Sequence, residues 1–177
     1  NYFVTGEFGR SVGNFKKSSG SPSLESASIT SGAMKIGGGY KYLPMGFFYG
    51  PQVNLLGGWA RYSYNVESST ADGFGENSIS GFYIGVGGSM PIQRNLRVFG
   101  KGEIIPFSSF SDEDNIYGTL KTSGSMYFKV GAQYQYNPVM TLDGGFEVIN
   151  NTAKFKSGVS QVNYRDTIIK IGTTFVF

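Results

Sequence analysis

The sequence has no cysteine and no histidine among its 177 residues. A disulfide framework, a thiol nucleophile and a thiolate metal site are therefore excluded. So are a histidine-based triad, a histidine ligand and a near-neutral imidazole base. Charged residues make up only 15 %, against about 25 % in an average soluble domain. The net charge of +3 is mild and does not call for a nucleic-acid partner. Apolar runs are short, and the longest, Leu55-Leu56-Gly57-Gly58-Trp59-Ala60, is broken by glycine. None approaches the roughly 18 residues of a membrane-spanning helix.

Glycine and aromatic residues fill the space that charge leaves. There are 27 glycines, 15 phenylalanines and 12 tyrosines. The glycines follow no three-residue period, which excludes collagen, and the apolar content excludes a disordered chain. The length suits one domain, residues 1–177. The chain begins at Asn1 rather than Met, as expected of a processed or trimmed product, and removal of a signal peptide is one process that fits.

Turn signals recur at Pro44, Pro91 and Pro138, each in a short break. Longer polar stretches at 13–28, 67–78, 109–121 and 151–163 read as loops. Three short and four long connections separate eight segments: 1–12, 29–42, 47–66, 79–90, 96–107, 122–136, 140–150 and 164–177. Both termini then fall on the short-turn side. Each segment alternates with period two, as a strand with one apolar face does. Met126, Phe128, Val130, Ala132, Tyr134 and Tyr136 oppose Ser125, Lys129, Gly131, Gln133 and Gln135. In the third segment the phase is expected to slip at a bulge near Gly57-Gly58, turning Tyr62 and Tyr64 outward and Arg61 inward. Pro51 belongs near the start of that strand.

The polar face is rich in glycine, which leaves room for charged neighbours inside a narrow barrel. Aromatic residues gather near turns and loop bases: Tyr40, Tyr42, Phe47, Phe48, Tyr49, Tyr134 and Tyr136, with Tyr62, Tyr64 and Tyr164. Two interfacial girdles are expected from them. The chain ends Ile169, Ile171, Thr173, Phe175, Phe177 at alternate positions. This ending resembles the C-terminal signature of bacterial outer-membrane barrels. The whole pattern is similar to the OmpA membrane domain and the OmpX-like small barrels. The resemblance implies an all-β, eight-stranded antiparallel up-and-down transmembrane β-barrel in the bacterial outer membrane. It also implies periplasmic termini and short turns, extracellular loops, and recognition of the terminal signature by the barrel-assembly machinery.

The expected lumen carries the cations Lys35, Lys41, Arg61, Arg97, Lys101, Lys129 and Lys170. Its anions are Glu7, Glu103, Asp143 and Glu147. Buried charges persist only when paired or hydrated, so a plugged, ion-paired interior is expected. A narrow or gated channel with anion preference is the alternative. A soluble ligand-binding β-barrel is a second one. Lys16, Lys17, Lys154 and Lys156, near the loops, are candidate contacts for lipopolysaccharide phosphates. Acidic loop residues such as Asp112, Glu113 and Asp114 could bridge to the same phosphates through a divalent cation. The enzymatic barrels of the family depend on histidine, which this chain lacks, so no catalytic residue, cofactor or resident metal is expected. The partners expected are outer-membrane lipid and lipopolysaccharide, with a monomeric barrel serving envelope integrity or surface interaction.

Overall fold

The computed structural model describes residues 1–15, 27–47, 49–66, 76–112, 118–156 and 161–175. Among them there are nine strands and no helix. The strands are β1 (Tyr2–Phe15), β2 (Ala27–Tyr42), β3 (Gln52–Val66), β4 (Asn77–Gln93), β5 (Leu96–Ile105), β6 (Ser108–Asp112), β7 (Leu120–Asn137), β8 (Met140–Phe155) and β9 (Gln161–Phe175). All pair antiparallel in one curled sheet of order β1-β2-β3-β4-β5-β7-β8-β9. β6 continues the line of β5 and pairs with β4. Pro106, which has no amide hydrogen to donate, stands at the break between them. The expected fifth segment, 96–107, thus ends at Ile105, and β6 falls almost wholly in the stretch expected as loop 109–121; the eight-place order is otherwise as read. No pairing joins β1 to β9 among the described residues.

Two faces follow from the alternation. On the short-turn half of the sheet the convex face is apolar and exposed: Val4, Phe8, Ile36, Leu55, Ile84, Val86, Phe128, Phe146 and Ile171 all lie on it. The concave face there buries Lys35, Glu103 and Glu147. Towards the loops the arrangement reverses along the same strands. On β8 the convex residues pass from Phe146 and Val148 to Asn150, Thr152 and Lys154. Its concave residues pass from Glu147 to Ile149, Ala153 and Phe155. On β9, Ile171 and Ile169 give way to Thr167 and Arg165, while Lys170 gives way to Ile168, Tyr164 and Val162. On β3, Trp59 gives way to Arg61, Ser63 and Asn65, while Ala60, Tyr62 and Tyr64 are buried.

That reversal corrects three expectations. The register of β3 against β2 and β4 runs unbroken through Gly57-Gly58, so no bulge forms there. Tyr62 and Tyr64 therefore point into the core, and Arg61 lies on the exposed convex face rather than among the interior charges. Strands also run further towards the loops than their polar residues suggested. β8 reaches Phe155 and β7 begins at Leu120, because the polar residues there occupy one face of a continuing strand. Tyr40, Tyr42, Phe47, Tyr49, Tyr134 and Tyr136 are exposed near the short turns. Phe48 lies outside the described residues. The loop-side girdle is not made of Tyr62, Tyr64 and Tyr164, which face inward. Exposed Phe8, Phe82 and Phe107 occupy the convex face near that boundary, with half-buried Trp59 opposite Phe82.

The first short turn spans 43–51 and contains Gly46 at φ 74°, a left-handed conformation that suits glycine. Pro51 immediately precedes β3, as expected.

Candidate functional site

The concave face of the short-turn half holds two ion-paired groups. In the first, buried Lys35 Nζ lies 2.6 Å from Glu103 Oε2. The other oxygen of Glu103 meets Lys101 Nζ at 2.9 Å, and Lys101 also meets Glu7 Oε1 at 3.0 Å. In the second, buried Glu147 forms ion pairs with Lys129 and Lys170, each at 2.9 Å. Registry explains the assembly. Glu7 stands opposite Lys35 across β1 and β2, and Lys129 stands opposite Glu147 across β7 and β8. Lys35 is further enclosed by rings, with Tyr127 3.5 Å and Tyr62 5.8 Å from its ammonium. A cation over an aromatic face gains electrostatic stabilisation where water is scarce.

Three expected members stand apart from these groups. Arg97 donates to Ser89 Oγ at 2.8 Å and to the carbonyls of Tyr49 and Gly50 at 3.0 and 3.1 Å. It ties down the first short turn. Lys41 stands over the Phe3 ring at 6.0 Å. Asp143 is half-buried opposite Gly172 and makes no ion pair among the described residues. The fourth, Arg61, is on the other face.

Glycine makes room here, but not only for charge. A Cβ at Gly37 would collide with the Tyr83 hydroxyl and the Gly57 carbonyl. One at Gly85 would come within 2.7 Å of Glu103 Cγ. Small residues on the concave face thus admit both the ion pairs and the rings that cover them.

Above the ion pairs lies a polar-aromatic cluster that the sequence reading missed. Asn151 Nδ2 donates to the Tyr64 hydroxyl at 2.6 Å, and Tyr64 donates to Asp166 Oδ2 at 3.1 Å. Asn77 Nδ2 donates to the Tyr164 hydroxyl at 2.7 Å. The Tyr64 and Tyr164 rings stack with centroids 4.1 Å apart. Ile79, Ile105, Ile149 and Tyr127 are buried among the same strands, and Phe110, Phe155 and Val162 form a second apolar group. The signal was the phase of Gln52 and Asn54. Counting on by twos from these concave residues reaches Tyr62 and Tyr64.

Towards the short turns the interior stays open. A cavity of about 440 Å³ is lined by Gln52, Asn54, Arg97, Lys129, Gln133 and Asp143, among others. Of the candidate lipid contacts, Lys154 and Lys156 are exposed at the loop end of β8. Lys16 and Lys17 lie outside the described residues, as do Glu113 and Asp114. Ile169 and Ile171 are exposed on the convex face, the β9 backbone is paired through Phe175, and Phe177 lies outside the described residues. No group of acidic side chains able to hold a metal ion occurs among the described residues.

The chain matches no known family model, no curated protein and no solved structure.

Proposed function

We propose that the chain is a non-enzymatic integral outer-membrane barrel whose lumen is plugged by ion pairs and rings. Its role is envelope integrity or presentation of the loop end to partners. The observation that carries this reading is the reversal of apolar and polar faces along single strands. A strand immersed in one solvent keeps one face apolar throughout. A strand that leaves lipid for water changes which face is apolar, because lipid accepts outward apolar residues and water does not. The convex apolar stretch on β4 runs from Met90 to Phe82. Its eight steps span ~27 Å along the strand. At a tilt of about 40° this leaves roughly 20 Å of height, close to the apolar band of outer-membrane barrels.

The interior favours a plug over an anion-preferring channel. The buried Lys35, Glu103 and Glu147 are consumed by ion pairs, and the loop half is filled by Tyr62, Tyr64, Ile149 and Phe155. A soluble ligand-binding barrel would need its apolar face concave over its whole length, whereas here the short-turn half has it convex. By the family resemblance the short turns and termini are periplasmic and the loops extracellular. The terminal Ile169, Ile171, Phe175 and Phe177 would engage the assembly machinery.

Refolding into lipid vesicles tests the class. Folded protein should migrate faster on gels when unheated than when boiled, and bilayer recordings should show no discrete conductance. Regular single-channel steps would overturn the plug. Folding to a stable monomer in detergent-free buffer would overturn the membrane reading.

Exposed Arg61, Lys154 and Arg165 sit on the convex face just past the apolar band. They suit the phosphates of lipopolysaccharide. Replacing all three with Gln should reduce lipopolysaccharide carried through purification, and undiminished retention would refute the contact.

A further inference from the structure

Two edges of the sheet, β1 and β9, carry no partner strand among the described residues. In lipid such an edge is untenable, because its amide and carbonyl groups have no water to bond. Something must cover both, and three observations identify it.

The first is an interior cavity of about 180 Å³ that both edges reach. Glu7, Gly9 and Ser11 line it from β1 and Asp166, Ile168 and Lys170 from β9, over Lys35, Tyr62, Tyr127 and Glu147. The two edges thus border one space. The second is charge. Glu7 and Lys170 are the half-exposed members of the two ion-paired groups, with side chains 48 % and 52 % exposed, while their partners Glu103 and Glu147 are almost fully buried. No ion pair joins Glu7 to Lys170 in the structure. The third is phase. Glu7 is concave, so an antiparallel partner on β9 must also be a concave residue. Asp166, Ile168, Lys170 and Gly172 share that face, and only Lys170 among them carries a positive charge.

We propose that the edges of β1 and β9 pair with each other, Glu7 opposite Lys170, and that this ion pair latches the barrel shut. The inference rests on the membrane-barrel reading above. Gly9 then meets Ile168, and on the convex face Phe8 meets Ile169 and Arg10 meets Thr167. The latch joins two separate groups into one alternating chain: Lys35, Glu103, Lys101, Glu7, Lys170, Glu147, Lys129. Every carboxylate in it then touches two cations. The exposed apolar edge residues Phe8 and Ile169 cover each other in the same step.

Cysteine cross-linking tests the register, and the absence of native cysteine supplies a clean background. Full-length chain carrying Phe8→Cys and Ile169→Cys, refolded in lipid vesicles, should form an intramolecular disulfide on mild oxidation. Directly opposed strand positions bring Cβ atoms close enough for that bond. The pair Phe8→Cys and Ile171→Cys, shifted by two residues, should react at least ~10-fold more slowly, as its Cβ separation is unfavourable. Faster reaction of the shifted pair would overturn the register. A disulfide linking two copies would overturn self-closure in favour of a dimer. Neutralising the pair tests the latch itself. Glu7→Gln and Lys170→Gln should each lower the midpoint of thermal unfolding by on the order of 5 °C, and the double variant should lose clearly less than the sum of the two, because the shared ion pair is removed only once. A double variant whose loss equals that sum would overturn the latch. Detergent dependence is read separately, so failure of the membrane reading leaves a distinct signature: folding in buffer, with or without the cross-link.

Discussion

Replacing Glu103 by alanine is expected to cost about 3–5 kcal/mol of folding stability, the penalty for stranding one charge of a buried pair. Lys35 is the stranded partner. Its side chain is 6 % exposed and its ion pair is with Glu103. Lys101 suffers less, because it retains Glu7. The rings of Tyr127, Tyr62 and Tyr83 around Lys35 soften the loss and place it at the lower end of that range. Glu7→Ala should cost far less, since Glu7 is half-exposed and Lys101 keeps Glu103. The double variant Glu103→Leu with Lys35→Met should recover most of the stability, because removing both charges removes the desolvation penalty as well. Urea-induced unfolding in lipid vesicles measures all three against the parent. A Glu103→Ala variant within ~0.5 kcal/mol of the parent, the range of an ordinary surface change, would show that the network does not hold the interior together.

The second large effect concerns the convex face. Val86 lies midway along the apolar stretch of β4 and is exposed. Val86→Arg should cost about 2–4 kcal/mol in vesicles, the penalty for a cation at the centre of the bilayer. Thr167, also convex and exposed, lies beyond the last apolar residue on the convex face of its strand, Ile169. Thr167→Arg should cost roughly 0–1 kcal/mol, as near the interface. A convex face bathed in water would make both substitutions nearly neutral. The contrast between the two sites, rather than either value alone, reports where lipid ends.

The period-two pattern carried most of this account. It placed the strands, their order of connection and the inside-out polarity of the short-turn half, because a sheet obliges side chains to alternate. It also brought Lys35, Lys101, Glu103, Lys129, Glu147 and Lys170 to one face, where the ion pairs form. Its failures share a cause. The apolar face was taken to be outward everywhere, so Tyr62 and Tyr64 seemed to need a bulge, and Arg61 moved inward with it. Strict alternation from Gln52 was the better guide, with the apolar side changing partway along the strand. The same assumption made Asn150, Thr152 and Lys154 look like loop. Arg97 lines the interior but joins neither ion-paired group, for another reason. Its partners are carbonyls at Tyr49 and Gly50, and which carbonyl a turn presents depends on how the chain folds back. Alternation also says nothing of how the two edges meet.

Trp59 is the chain's single tryptophan, and it lies on the convex face of β3, with Arg61 two residues further on. Its fluorescence therefore reports directly on the solvent at the boundary of the apolar band. Protein refolded into vesicles containing bromine-labelled lipids should show blue-shifted Trp59 emission that the brominated acyl chains quench strongly. Aqueous iodide should quench it weakly. Emission indifferent to the brominated lipid and readily quenched by iodide, in protein that is folded, would contradict a lipid-facing convex surface.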